Sequence, residues 1–143
     1  MKFNDEQFTA LAFIFERENG NSLDEFELDT ISESNLGEFS TKELEKIICV
    51  GLNQKIYEED KLRICAYWAL SKRFNPELLK HFVNWLQLEV ENENSIAIYQ
   101  LMIAIDKLDN KIFDKKRTSR YSDENEMNIR DAKIYLNGKN ANR

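Results

Sequence analysis

Few side chains in this chain have the types and spacing that catalysis requires. His81 is the only histidine, which excludes a relay or a zinc site that needs a second histidine. The four glycines do not form a phosphate-cradling loop, and no nucleophile elbow is present. We therefore predict no catalytic residue, no metal site and no cofactor.

Acid pairs are the remaining candidates for general acid–base chemistry. That chemistry needs one carboxyl group that is desolvated, so that its pKa rises. The acid-rich stretches here lie at predicted helix starts or in polar connections, where solvated carboxylates interact favourably with the helix dipole. They are Glu58-Glu59-Asp60, the group Glu89, Glu91 and Glu93, and the group Asp123, Glu124 and Glu126. We expect these acids to be solvated and the protein not to be an enzyme.

Charge is distributed unevenly along the chain, whose formal net charge is −6. Residues 1–34 hold nine acids and two bases, a net of −7, whereas residues 111–143 hold nine bases and five acids, a net of +4. Such asymmetry favours an oriented encounter with a charged macromolecule. The acidic whole argues against nonspecific binding to nucleic acid, which we count as an improbable partner.

The acidic span 16–33 is the predicted binding surface, and a merely solvated face is the alternative. A basic partner would be steered onto such a surface by charge, while Phe26 and Leu28 would serve as apolar anchors. Acids at 58–60 could join the same surface. The predicted partner-binding residues are Glu16, Glu18, Asp24, Glu25, Phe26, Glu27, Asp29, Glu33, Glu58, Glu59 and Asp60.

A second charged stretch, Lys115–Tyr121, is basic and contains one aromatic residue. It could contact phosphate. The interpretation we favour is a loop that meets solvent and the acids of neighbouring helices.

Apolar spacing and capping residues predict an all-α protein of six to seven helices in a single domain, 1–143. Residues 22–34 are ambiguous: a short helix capped by Ser22 could turn Leu23, Phe26 and Ile31 toward a core, but Asp, Thr and Ser lower helix propensity. A loop over 109–121 and a frayed tail over 137–143 complete the prediction. The helices are expected at 5–18, 22–34, 41–53, 58–73, 76–91, 95–108 and 122–136.

Short connections make neighbouring helices pack antiparallel, as in stacked helical hairpins or a compact bundle. Residues 63–86 are the densest apolar and aromatic stretch. Because apolar residues surround most of the helix predicted at 58–73, we expect this stretch to be the middle of the scaffold rather than a binding site.

The compartment is predicted from the cysteines and from the start of the chain. Cys49 and Cys65 lie in apolar helical contexts, which is typical of buried free thiols in a cytoplasmic protein; a disulfide or metal pair is the alternative. Residues 1–6 turn acidic where a signal peptide would be apolar. No apolar run approaches the roughly 20 residues of a membrane span, so we expect no membrane partner.

Three segments carry a resemblance to a known family: LRICAYWALSKRFNPELLKHFVNWLQLE (62–89), SIAIYQLMIAIDKLD (95–109) and SDENEMNIRDAKIYL (122–136). They resemble the HEAT-like immunity proteins of bacterial polymorphic toxin and contact-dependent growth inhibition systems. The resemblance implies a HEAT-like α-solenoid that inhibits a cognate toxin domain, often a basic nuclease, by covering its active site or substrate surface. Contacts differ between such proteins, so the resemblance assigns no site residue. A generic helical-repeat adaptor, or weak nucleic-acid binding through 111–121, are the alternatives.

Overall fold

The computed structural model describes residues 1–141, with side chains through residue 139. Over these residues it contains seven α-helices, one short 3-10 helix and no strand, which confirms the predicted all-α class. The helices are α1 Asp5–Glu18, α2 Glu25–Ser34, α3 Thr41–Asn53, α4 Asp60–Ser71, α5 Leu79–Glu91, α6 Ser95–Asp106 and α7 Asn125–Ala141, with the 3-10 turn at Pro76–Leu78. Within the described range, no helix combines the length and apolarity needed to cross a bilayer.

The chain falls into two compact units, Met1–Arg73 and the residues from Phe74 onward. The prediction of a single domain stays a prediction. In the first unit, α1 is the central helix and packs mainly against α4 and α2, with fewer contacts to α3. Its phenylalanines Phe8 and Phe15 are fully buried, as are Leu11 and Ala12 on the same predicted face. Because α2 packs on α1, α1 positions the helix that carries the candidate site.

In the second unit, α5 and α6 pack directly against each other, as predicted for 76–91 and 95–108, and α7 packs on both. The interior is formed by the apolar face of α5, with Phe82 and Leu86, and by the almost wholly apolar α6. The predicted pairing of 41–53 with 58–73 is present as a contact between α3 and α4, but α4 packs more extensively on α1.

The stretch 63–86 belongs largely to the interior, as predicted. Tyr67 and Leu70 are buried in the first unit, and Phe82 and Trp85 are buried in the second. Trp85 stacks on the half-buried His81 with ring centroids 5.4 Å apart. These aromatic side chains fill the interiors of the two units.

Several helix starts follow the capping chemistry that their sequence predicts. The Asn4 side chain accepts a hydrogen bond from the Gln7 N–H at 2.8 Å, and Ser40 accepts one from the Glu43 N–H at 3.1 Å. Asn75 caps the 3-10 turn at Pro76 by accepting from the Glu77 N–H. In each case an otherwise unpaired backbone donor is satisfied.

The predicted starts of α2 and α7 and the predicted end of α7 were wrong. Asp24, not Ser22, caps α2. The last helix begins at Asn125, not at Ser122, and it passes through Gly138 to Ala141 instead of ending at Leu136. A glycine in a helix costs about 1 kcal/mol, so its presence weakens the helix without forbidding it. Residues 142–143 of the predicted frayed tail lie outside the described residues.

Candidate functional site

The exposed acids of α2 belong to the part of the predicted surface whose charge is not compensated within the described residues, as do Glu18, Glu58 and Glu59. Glu25, Asp29 and Glu33 are exposed, and within residues 1–139 none of the three lies in an ion pair. Their i, i+4, i+8 spacing places them on one side of the helix. No lysine or arginine occurs between Glu18 and Thr41. We call Glu25, Asp29 and Glu33 the acidic stripe.

Asp24 and Glu27 have a structural task at the start of α2. The Asp24 side chain accepts from the Glu27 N–H at 2.8 Å, and the Glu27 side chain accepts from the Asp24 N–H at 3.1 Å. This reciprocal capping box satisfies two backbone donors. It explains why a segment rich in poor helix formers is helical, and it separates these two acids from those free to bind.

Two other members of the predicted surface, Glu16 and Asp60, are neutralised within the protein. The Glu16 carboxylate lies 3.3 Å from the Lys72 ammonium, and both side chains are about three-quarters buried. Asp60 pairs with the Arg63 guanidinium. The remaining acids, Glu18 at the end of α1 and Glu58 and Glu59 ahead of α4, are exposed.

An open groove of about 530 Å³ lies between α1 and α2. Of the predicted site residues, Phe26 and Glu33 line it, and the others do not. Its remaining lining residues, which the sequence did not single out, are Asn4, Glu6, Gln7, Thr9, Thr30 and Ser34.

Phe26 is the most exposed large apolar side chain of the described residues, at 71% of its accessible surface. Of the two possibilities that the sequence left open for Phe26, a core position beside Ile31 and an exposed anchor, the structure shows the exposed one; Ile31 is buried and Leu23 is half-buried. A helical wheel could have shown this, because five residues at about 100° each put Phe26 roughly 140° away from Ile31. Leu28, the second predicted anchor, is 45% exposed.

The basic stretch 115–121 is folded into the second unit through its arginines. The side chain of Arg117 is 1% exposed and lies 3.0 Å from the Asp131 carboxylate, which is equally buried. Arg117 also donates to Asn128 Oδ1 at 2.9 Å and contacts the Glu124 carboxylate at 3.3 Å. Lys115 and Lys116 remain exposed. The favoured interpretation, a loop that meets the acids of its neighbours, describes these contacts better than a phosphate-binding segment does.

The expectation that the clustered acids are solvated was wrong for Glu89, which is 2% exposed and accepts a hydrogen bond from the Asn94 side chain at 3.1 Å. Glu124 accepts hydrogen bonds from the Tyr121 N–H at 2.8 Å and from the Ser119 hydroxyl at 2.9 Å. Together with the Arg117 charge, they hold the pKa of Glu124 below its ordinary value. These acids support the loop and the helix ends.

The two cysteines are free thiols in this structure. Cys49 is buried, and Cys65 is half-buried where full burial was predicted. Burial, with a smaller contribution from the nearby Glu45 charge, raises the pKa of Cys49 to about 12. Its thiol is therefore protonated at neutral pH and suited to packing rather than to nucleophilic attack.

Comparison of the chain with protein-family models, with curated proteins and with solved structures finds no match in any of the three. A function is therefore inferred from the geometry of this chain.

Proposed function

We propose that this chain is a non-enzymatic immunity protein of the bacterial cytoplasm that neutralises a cationic toxin domain, such as a nuclease domain, by forming a stoichiometric complex through α2. The observation that carries the proposal is the acidic stripe. Its three carboxylates are exposed and lack a counter-charge among the described residues.

The stripe is unfavourable for the isolated protein. Like charges at i, i+4 destabilise a helix by about 0.2–0.5 kcal/mol per pair, and the stripe contains two such pairs, Glu25 with Asp29 and Asp29 with Glu33. A basic partner would relieve this repulsion on binding. Charge complementarity would also speed the encounter, and the exposed Phe26 and Leu28 would slow dissociation by burying apolar surface.

The test is affinity capture from a lysate of the source bacterium, with the captured proteins identified by mass spectrometry. We expect the wild-type chain to retain a basic protein, and the triple variant Glu25→Lys, Asp29→Lys, Glu33→Lys to retain about tenfold less or none. Asp24 and Glu27 stay unchanged, because reversing them would break the cap of α2.

The matched control is a triple variant with the same charge change elsewhere: Glu38→Lys, Glu91→Lys, Asp123→Lys. All three positions are exposed, so this variant should capture the partner as the wild type does. Equal losses in both variants would show that net charge, rather than the stripe, governs capture. A captured partner that is not basic would contradict the proposal.

A helical adaptor with some other basic partner would use the same surface. Exposed acids attract any basic protein, and Phe26 can pack against any apolar group, whether or not the partner is a toxin. The identity of the captured protein separates the two functions. A toxin domain encoded beside this chain supports immunity, whereas a housekeeping protein supports an adaptor.

A further inference from the structure

We propose that the groove between α1 and α2 is a recognition site for an arginine side chain of the partner. This inference rests on the proposed function and names the group that the site would bind. It starts from Phe26, whose ring is 71% exposed at the groove, and from the carboxylates of Glu6 and Glu33 in the same lining.

Each hydroxyl group of the groove donates a hydrogen bond to a backbone carbonyl of its own helix. Thr9 donates to the Asp5 carbonyl at 3.1 Å, Thr30 donates to the Phe26 carbonyl at 2.8 Å, and Ser34 donates to the Ile31 carbonyl at 2.6 Å. Their oxygens therefore present only lone pairs to an incoming ligand.

The two carboxylates of the lining are also free to accept. Over residues 1–139, the side chains of Glu6 and Glu33 have neither an ion pair nor a hydrogen bond. The lining donors are the amide nitrogens of Asn4 and Gln7, whose oxygens are engaged in the cap of α1. The lining is thus rich in acceptors and carries a net charge of −2.

Arginine matches this lining better than lysine does. The guanidinium group has five donors and no acceptor, it pairs with carboxylates in a planar fork, and it stacks on aromatic faces. A lysine ammonium is a more strongly hydrated point charge without a planar face. Phe26 would supply the stacking surface, and Glu6 and Glu33 the acceptors.

The test compares two blocked peptides of equal length and charge, one with three arginines and one with three lysines, titrated into the full chain by calorimetry. We expect the arginine peptide to bind about fivefold tighter or more, because stacking and bidentate pairing favour it. Glu33→Gln and Phe26→Ala should each weaken the arginine peptide about fivefold and remove most of its advantage.

Glu25→Gln is the matched control, since it is the same chemical change on the same helix but lies outside the groove. It should weaken both peptides slightly and equally. All three positions are exposed, and the helical circular dichroism of each variant should equal that of the wild type.

Equal affinity for the two peptides, or equal losses from Glu25→Gln and Glu33→Gln, would overturn the arginine site while leaving a general acidic docking surface. Absence of binding by the arginine peptide would overturn it as well. The capture experiment with the charge-reversed stripe decides the proposed function independently of these outcomes.

Discussion

At Arg117 a positive charge is removed from solvent and held by the acids of α7 and of the turn before it. The Asp131 carboxylate also accepts from the Asp114 N–H at 3.2 Å, and the Asn128 side chain donates to the Tyr121 carbonyl at 3.0 Å. The loop 107–124 therefore depends on polar side chains as much as on its buried Ile112 and Phe113. Such a network stabilises only when every member is present.

Replacing Arg117 with alanine should lower the free energy of unfolding by about 3 kcal/mol, because the buried Asp131 carboxylate would lose its closest counter-charge and keep only the more exposed Arg130 guanidinium at 3.5 Å. Arg120→Ala is the control. That side chain is 42% exposed and lies 3.6 Å from Asp106, so its loss should cost about 1 kcal/mol or less. Urea denaturation followed by circular dichroism measures both. Equal losses of unfolding free energy in the two variants would show that burial of the Arg117–Asp131 pair does not increase its contribution to stability.

At the scale of the element, α2 shows how a capping residue decides whether a segment folds. Asp, Thr and Ser in this stretch favour local hydrogen bonds over a helix. In the capping box, the side chains of Asp24 and Glu27 make such local hydrogen bonds at the start of the helix. The buried side chain of Ile31 anchors the helix on the protein. The acidic stripe lies on this one short helix, which also forms one wall of the groove.

Asp24→Ala should therefore destabilise the protein by about 1 kcal/mol, the usual effect of losing a cap. Ser22→Ala should change stability by less than about 0.5 kcal/mol, since Ser22 is exposed and lies before the cap. The two unfolding midpoints in urea provide the comparison. If Ser22→Ala were the more damaging change, the assigned start of α2 would be wrong.

The helices were predictable from sequence where periodicity and caps agreed. For α1 and α3 the predicted bounds match the structure, because Asn4 and Ser40 precede clear apolar repeats. The end of α7 was not predicted, since Asn137-Gly138 resembles a stop signal and the helix nevertheless continues through it. The groove and the burial of Arg117 were missed because both depend on side chains brought together from different elements.

At the scale of the whole molecule, the structure distinguishes charges that are paired within the protein from charges that face solvent. Arg117, Arg120 and Lys139 are engaged with acids, whereas the acidic stripe faces solvent. Long-range attraction for a basic partner is therefore expected to come from the acidic stripe, whereas the exposed Lys115 and Lys116 would repel such a partner.

Association with the captured basic partner should accordingly depend on salt. Raising the ionic strength from about 0.1 M to about 1 M shortens the screening length from ~10 Å to ~3 Å. We expect the association rate constant to fall about tenfold or more, with a smaller change in dissociation. Surface plasmon resonance with the wild type and the charge-reversed stripe measures this. A rate that does not change with salt would contradict electrostatic steering.

The buried arginine of the loop also sets an order of events during synthesis. A ribosome delivers the chain from its N-terminus, so Arg117 emerges before Asn128 and Asp131, its partners on α7. Until α7 has emerged, the guanidinium lacks these two partners and stays hydrated. The polar network around Arg117 is consequently completed only after α7 has been synthesised.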